Sequence, residues 1–249
     1  MRFRPVENRG QVMTTTTSNV RSRWNEPTKY ERWCVSYLGR VYSESLARVL
    51  RPWLSASAGS LVLDIGCGPG LAMEQFFSTD SEIIGLDCSL EMAQRANSLS
   101  RQSARPRHFV AGTVERIPFP DATFDFAVCI NCLEFVEDRE AAFGEIARVL
   151  RPNGIAILGM LNRHSMWEWA RRLRRPFSRQ AYYQGKFFSE ADVRGSCEQA
   201  GLNVAEVKTA VHFPPIPPGP LRSAYNAVDR WVWRRSSTAG GVILCRAVK

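Results

Sequence analysis

Residues 61–70 read LVLDIGCGPG and decide the fold. The first half of the run is apolar except for Asp64, which is typical of a strand buried on both faces of a parallel sheet. Glycines follow at alternate positions and let the backbone turn tightly and bring its N–H groups close to a ligand. Residues 71–77, LAMEQFF, predict a helix that begins at the same place. The stretch therefore predicts a strand, a glycine turn and a helix.

The spacing of the glycines separates two classes of ligand. A dinucleotide fingerprint requires G-x-G-x-x-G, but here Leu71 stands three residues after Gly68 and the third glycine is Gly70. An acid at Asp64 would repel a pyrophosphate, whereas it suits a ligand that carries an ammonium and a sulfonium. S-adenosylmethionine carries both of these charges. The D-x-G-x-G-x-G segment resembles the first motif of the class I S-adenosylmethionine-dependent methyltransferases.

A second strand, residues 81–87, ends in an acid roughly twenty residues after the glycine turn. A nucleotide-binding fold places the carboxylate that binds the ribose at this position, so Asp87 is the predicted ribose ligand. Ser89 is predicted to cap the helix that follows. The family resemblance places Cys88 and Met92 near the adenine, although core packing is an equal alternative for Met92.

Residues 108–113 predict a third strand, and residues 112–121, GTVERIPFPD, are similar to the family segment G-D-A-E-x-L-P-F-P-D. Thr113 stands where the family has an aspartate that contacts the adenine amino group. Its hydroxyl, or the backbone around Val114 and Glu115, is expected to take over that contact.

Residues 124–130 predict a fourth strand that is followed directly by Asn131. In an open α/β sheet the ligand lies beyond the carboxyl ends of the strands, so Asn131 is expected to face the transferred methyl group. Residues 148–154, RVLRPNG, are similar to the family's R-V-L-K-P-G-G and lead into a fifth strand at 155–161. His164 follows this strand and is the histidine best placed to accept a proton, with a structural role as the alternative. Asn131 and His164 are the candidate catalytic residues.

The predicted fold is a Rossmann-like α/β domain with helices on both faces of a mostly parallel, seven-stranded sheet. Ser189 is predicted to cap a helix before a sixth strand at 203–211, and residues 241–248 predict a last, antiparallel strand. A length of 249 residues with 45% hydrophobic content suits one core. The expected organisation is a disordered tail at 1–20 and one methyltransferase domain at 21–249, which comprises aromatic cap helices at 21–58, a cofactor-binding core at 60–161, and basic, aromatic caps at 162–187 and 212–240.

Aromatic residues are concentrated before the glycine turn, where Tyr30, Trp33 and Tyr37 resemble the family's N-terminal helices that fold over the cofactor. A lid of this kind excludes water, which favours a displacement in which the sulfonium charge disappears. The alternative interpretation is that these side chains only cover the apolar edge of the core.

The net charge of +9 is concentrated in the predicted caps. Residues 166–177, MWEWARRLRRPF, mix aromatic side chains with arginines, a pattern typical of proteins that contact anionic membranes or phosphates. A solvated helix face is the alternative. Nucleic acid is disfavoured as a partner, because the sequence contains none of the recognised binding modules.

The sequence favours a cytoplasmic protein, with peripheral membrane contact as an option. It has no apolar run of the ~20 residues needed to span a bilayer, no hydrophobic secretion signal at its start, and scattered cysteines. Cys129 and Cys132 have C-x-x-C spacing, but a zinc site requires further ligands, so no metal is expected.

The predicted reaction is transfer of a methyl group from S-adenosylmethionine to an O, N or C nucleophile of a small-molecule or lipid-like acceptor. The resemblance is to methyltransferases of the ubiquinone and menaquinone biosynthesis type. A dinucleotide-dependent oxidoreductase and a non-catalytic protein that binds membranes or partners are the alternatives. The predicted cofactor site comprises Asp64, Gly66, Cys67, Gly68, Gly70, Asp87, Cys88, Met92, Thr113, Val114, Glu115 and Asn131.

Overall fold

The computed structural model describes residues 26–55, 58–71, 76, 80–101, 107–174, 185–214, 222–233 and 238–249. The predicted tail at 1–20, most of the predicted helix at 71–77, and parts of both predicted basic caps lie outside these residues.

The described residues contain seven strands that form one sheet in the order β3-β2-β1-β4-β5-β7-β6. Strands β1 to β5 are parallel, and β7 runs antiparallel between β5 and β6. This arrangement confirms the predicted fold class. The strands are β1 Leu61–Ile65, β2 Glu82–Asp87, β3 His108–Ala111, β4 Phe124–Ile130, β5 Leu150–Leu161, β6 Asn203–Ala210 and β7 Val242–Val248.

The helices of the described residues flank this sheet, and none of them is both long and apolar enough to cross a membrane. Ser89 and Ser189 cap their helices as predicted, and Ser189 forms a reciprocal capping box with Asp192. The helices are α1 Pro27–Val35, α2 Tyr37–Leu54, α3 Leu90–Ser100, a short 3₁₀ helix Leu133–Phe135, α4 Arg139–Val149, α5 Met166–Arg174, α6 Glu190–Gln199 and α7 Arg222–Trp233.

Strand β5 begins earlier than the predicted residue 155. Leu150 already pairs with Phe124, the register then shifts, and regular pairing with β4 starts at Ile155. Residues 151–154 therefore belong to the strand but interrupt its pairing with β4, with Asn153 in the left-handed region at φ 63°. Asparagine tolerates this conformation better than most residues, so the irregularity needs no glycine at that position.

The central strands are buried on both faces, because helices cover the sheet from both sides, whereas β3 and β6 at its edges are partly exposed. Along β1, Leu63 and Ile65 pack in one core cluster with α4 and α6, whereas Val62 packs on the opposite face in a cluster with α2, α5 and α7. Because β1 to β5 are parallel, their carboxyl ends share one edge of the sheet. At that edge, Gly66 follows β1, Asp87 is the last residue of β2, and Asn131 follows β4.

Helices α1 and α2 meet at a sharp corner at Ser36. The Ser36 hydroxyl accepts a hydrogen bond from the Gly39 N–H at 3.1 Å and donates to the carbonyl oxygen of Trp33 at 2.6 Å. A Cβ added to Gly39 would lie 2.1 Å from that same carbonyl oxygen. The close packing of α1 on α2 therefore requires glycine at position 39.

Gly39→Ala is expected to destabilise the protein by ~2 kcal/mol and to displace α1, because the methyl group overlaps backbone atoms that have no free rotation. Gly144→Ala in α4 is the matched control. A Cβ there meets nothing within 4 Å, so alanine should stabilise that helix by up to about 1 kcal/mol. Thermal and urea unfolding of both variants measures the difference, and equal effects would contradict this view of the corner.

Candidate cofactor and acceptor site

The glycine turn is built from left-handed backbone. Gly66, Gly68 and Gly70 have φ values of 72°, 55° and 79°, where side chains with a Cβ are strained. A Cβ at Gly66 would also lie 2.7 Å from the Cβ of Cys132. The N–H groups of Gly66 and Cys67 both donate to the carbonyl oxygen of Leu86, at 2.7 and 3.1 Å. The turn is therefore joined both to β2 and to the residues after β4.

Asp87 connects three segments at the carboxyl edge of the sheet. One carboxylate oxygen accepts from the Gly68 N–H at 2.8 Å and the other from the Ser89 N–H at 2.9 Å. Its carbonyl oxygen accepts from the Gly112 N–H at 2.9 Å. The side chain is buried, and this burial raises its pKa despite the two hydrogen bonds.

Asp64 is the second buried acid of this edge. Burial first, and then the charge of Asp87, raise its pKa to about 7, while Arg107 acts in the opposite direction. Two carboxylates in a low-dielectric environment repel each other, so a cationic ligand stabilises the ionised pair. The electrostatics of the edge thus favour a ligand with positive charge.

The residues predicted for the adenine end flank Asp87 on both sides. Met92 and Val114 are buried, whereas Cys88, Thr113 and Glu115 are partly exposed. Thr113 pairs with Arg116 in an isolated bridge, which ends β3 at Ala111 instead of at the predicted residue 113. Of these residues, Cys88 follows Asp87 directly, and Thr113 follows Gly112, whose N–H donates to the carbonyl oxygen of Asp87.

Helix α1 lies over the glycine turn. A Cβ added to Gly68 would be 3.7 Å from Cε1 of Tyr30, and burial together with the nearby charges of Asp64 and Asp87 raises the pKa of the Tyr30 hydroxyl. Glu31 accepts two hydrogen bonds from Arg95 of α3, at 2.6 and 3.1 Å. These contacts hold α1 against the helix that follows Asp87.

A row of aromatic rings extends from Tyr30 to α7. Successive ring centroids are 5.4 to 6.0 Å apart, mostly in tilted or edge-on pairs. The aromatic row comprises Tyr30, Trp33, Tyr42, Trp167, Phe213 and Tyr225. It lines the side of the sheet on which α2, α5 and α7 pack.

Asn131 follows β4 in a left-handed conformation with φ 54°. Its backbone N–H donates to Gly159 at 2.7 Å, and its side-chain amide nitrogen donates to the hydroxyl of Tyr42 at 2.7 Å. Its side-chain oxygen is buried and has no hydrogen-bond partner within the described part of the chain. Because the amide nitrogen donates to Tyr42, the side-chain oxygen is the group that is available to accept a hydrogen bond from a ligand.

His164 lies in the turn between β5 and α5. Its side chain is exposed, and its backbone N–H donates to the side chain of Asn162 at 2.9 Å. It is therefore not enclosed as the buried acids are. Cys129 is buried in β4, and within the described ranges no group of three or more potential ligands could hold a metal ion.

Glu134 is a buried acid that the sequence analysis did not single out. One of its oxygens accepts from the backbone N–H of Leu161, at the end of β5, and the other is buried without a partner in the described residues. Burial raises its pKa to about 7. The only signal in the sequence is an acid inside the otherwise apolar run that follows β4.

Arg148 was also missed, although it opens the RVLRPNG segment. Its guanidinium donates to Glu145 and Asp121 and to the carbonyl oxygens of Ile117 and Phe119, at distances of 2.6 to 2.9 Å. It therefore fixes the 112–121 segment to α4. The two family segments are joined through this one side chain.

Known proteins share this sequence pattern. Residues 63–158 match the family model of the methyltransferase domain. The ubiquinone biosynthesis O-methyltransferase of Rhodopseudomonas palustris is 31% identical over 168 residues, which cover 65% of each chain. The sterol 24-C-methyltransferase of Schizosaccharomyces pombe is 32% identical over 138 residues, 53% of this chain and 36% of that protein. The chain thus spans less than two thirds of the length of these relatives.

Solved structures show the same fold. A SAM-dependent methyltransferase from Thermotoga maritima superposes with a TM-score of 0.68 at 23% identity, over 92% of this chain and 99% of that one. The geranyl diphosphate C-methyltransferase of Streptomyces coelicolor gives 0.65 at 16% identity, over 94% and 98%. The fold is therefore the one seen in S-adenosylmethionine-dependent methyltransferases. Residues 63–158 of this fold match a methyltransferase domain.

Glu134→Gln is expected to weaken the pH dependence of stability. A carboxyl group whose pKa rises from 4.5 to about 7 on folding binds its proton more tightly in the native state, so stability falls as pH rises across that window. Glutamine keeps an oxygen that accepts from the Leu161 N–H but cannot ionise. Between pH 5 and pH 8, the free energy of unfolding of the variant should therefore fall by on the order of 3 kcal/mol less than that of wild type. Urea unfolding at pH 5 and pH 8, with exposed Glu137→Gln as the control, measures this; parallel curves for all three proteins would refute it.

Proposed function

We propose that the protein transfers a methyl group from S-adenosylmethionine to an O, N or C nucleophile of a small-molecule or lipid-like acceptor and releases S-adenosylhomocysteine. The observation that carries the proposal is the position of Asp87. Its carboxylate binds the glycine turn through Gly68 and the start of α3 through Ser89. One acid at this junction can bind ribose hydroxyls while the adjacent turn receives the amino-acid end of the donor.

The remaining contacts follow from this placement. The turn at Gly66, Cys67, Gly68 and Gly70 would hold the amino-acid end of the donor, with its ammonium toward Asp64. Thr113, Val114 and Glu115 would hold the adenine, together with Cys88 and Met92. These roles are supported by the burial of Asp64 and Asp87 and by the Gly112 N–H that joins the adenine segment to Asp87.

Catalysis would depend on positioning and on the exclusion of water. When bound, S-adenosylmethionine supplies an electrophilic methyl group whose transfer removes the sulfonium charge, so a dry and enclosed site favours the reaction. Tyr30 and the aromatic row would provide this enclosure. The free side-chain oxygen of Asn131 would accept a hydrogen bond from a hydroxyl or amine nucleophile and so direct its lone pair toward the methyl group. Tyr42 orients the amide through the hydrogen bond at 2.7 Å.

His164, exposed at the end of β5, would pass the released proton to solvent. We place the cofactor-binding core at 60–161 within one domain at 21–249, with residues 21–58, 162–187 and 212–240 as caps on the acceptor side. We also propose a cytoplasmic location with peripheral contact to anionic membranes. No observation favours the oxidoreductase or the non-catalytic alternative, so both serve as outcomes of the test.

Calorimetric titration with S-adenosylhomocysteine tests the assignment. Wild-type protein should bind with a dissociation constant of about micromolar order, and Asp87→Ala should weaken binding about a hundredfold through loss of the charge-assisted hydrogen bonds to the ribose. Exposed Glu137→Gln should bind like wild type.

Circular dichroism confirms that the Asp87 variant is folded. Absence of binding to folded wild-type protein would refute the methyltransferase proposal, and tighter binding of NADH than of S-adenosylhomocysteine would favour the oxidoreductase.

The pH dependence of this binding should report Asp64. Its pKa of about 7 means that the carboxyl is mostly protonated at pH 6 and mostly ionised at pH 8. Since the ammonium of S-adenosylhomocysteine favours the ionised form, affinity should rise with pH, by up to about tenfold per unit below the pKa. Asp64→Asn should bind more weakly at pH 8 and lose most of this slope. Titrations at pH 6, 7 and 8 measure it, and equal slopes in the two proteins would contradict the role of Asp64.

A further inference from the structure

Exposed apolar side chains are concentrated on two helices. Of the seven large hydrophobic residues that are exposed in the described residues, five lie on α5 and α7. On α5 the spacing of three and four residues places them on one side of the helix, opposite the buried Trp167. We call this set the apolar face; it comprises Met166, Trp169 and Leu173 of α5, at 54%, 70% and 59% exposure, and Val228 and Trp231 of α7, at 44% and 57%.

The acids of the same two helices point inward. Glu168 is the only acid of α5; it is 4% exposed and accepts hydrogen bonds from Arg171 and Arg172. Asp229 is the only acid of α7; it is fully buried and pairs with Arg48 of α2. Each helix therefore turns its one carboxylate away from solvent.

The outward charges of these helices are consequently positive. The side chain of Arg172 is 66% exposed, and Arg230 is exposed beside Trp231. The surrounding sequence has the same character, because residues 169–189 and 230–249 contain no aspartate or glutamate. The surface thus combines large apolar side chains with exposed arginines.

We propose that the apolar face docks on the surface of an anionic lipid bilayer. Tryptophan and leucine enter the boundary between headgroups and acyl chains, while the neighbouring arginines reach the lipid phosphates. A bilayer suits this surface better than a second copy of the chain does, because a symmetric contact would bring arginines of like charge together.

The docking surface lies directly behind the acceptor side of the site. Helices α5 and α7 follow β5 and β6, which are both antiparallel to β7 and so end at the same edge as the glycine turn. On its inner side, α5 places Trp167 against Tyr42, which holds Asn131. A lipid-like acceptor could therefore pass from the bilayer to Asn131 along these helices. This last step rests on the proposed reaction, whereas the docking itself does not.

Co-sedimentation with lipid vesicles tests the docking without any methyl donor. Wild-type protein should sediment with vesicles of phosphatidylcholine and phosphatidylglycerol in equal parts, and far less with phosphatidylcholine alone. Trp169→Ser combined with Leu173→Ser should lower the partition coefficient at least about tenfold. The matched control is Val35→Ser with Leu90→Ser, which removes two apolar residues of 62% and 55% exposure from other helices and should leave binding unchanged.

Arg230→Gln separates the charge from the apolar contribution, and it should weaken binding only to the anionic vesicles, more so at low salt. Absence of wild-type binding to anionic vesicles, or equal losses in the two double variants, would overturn the proposal. A dimer in analytical ultracentrifugation that the Trp169 and Leu173 substitutions abolish, without vesicle binding, would assign the face to a second copy instead. Circular dichroism establishes that the variants are folded, and absence of S-adenosylhomocysteine binding to wild type would refute only the proposed reaction.

Discussion

The hydrogen bond from the Gly68 N–H to the carboxylate of Asp87, 2.8 Å long, is the constraint on which the site depends. It forms only because Gly68 adopts a left-handed conformation and because parallel pairing sets Ile65 beside Leu86, the residue before Asp87. The second carboxylate oxygen accepts from the N–H of Ser89, the residue that caps α3. The carbonyl oxygen of Asp87 accepts from the N–H of Gly112. Glycine turn, helix and adenine segment thus share one residue, so a change there would release all three together.

This junction is electrostatically costly without a ligand. Burial raises the pKa values of both Asp64 and Asp87, and it also raises the pKa of the Tyr30 hydroxyl on α1, to which Cys34 and the charges of the two acids contribute further. When α1 covers Asp64 and Asp87, the loss of water disfavours the ionised forms of both acids. A bound cation favours the ionised forms again. Closure of α1 and binding of a cationic ligand are therefore expected to support each other. The ion pair of Glu31 with Arg95 acts at the same contact, but it is largely exposed and contributes less.

The donor half of the site could be predicted because its chemistry is local. Continuous apolar runs, glycines at alternate positions and acids at strand ends are patterns within a few residues, and they gave the sheet and the position of Asp87. The partners that the sequence did not reveal are distant in the chain: Asn131 and Tyr42 are 89 residues apart, and Glu134 and Leu161 are 27 apart. Contacts of this kind depend on tertiary packing and leave no periodic trace. Arg148 lay within a segment noted in advance, yet only the structure shows that it binds the 112–121 segment.

The same distinction explains why the acceptor is harder to identify than the donor. The proposed donor half would rely on backbone N–H groups and left-handed glycines, so we expect it to tolerate a change such as threonine at position 113. The proposed acceptor half would be made of side chains from α2, α5 and α7, and the direction of those side chains would decide its character. The sequence shows how many arginines α5 and α7 contain, but it does not show that Glu168 and Asp229 are buried and paired with arginines. That inward placement makes the outer surface cationic as well as apolar, and it is a property of packing rather than of net charge.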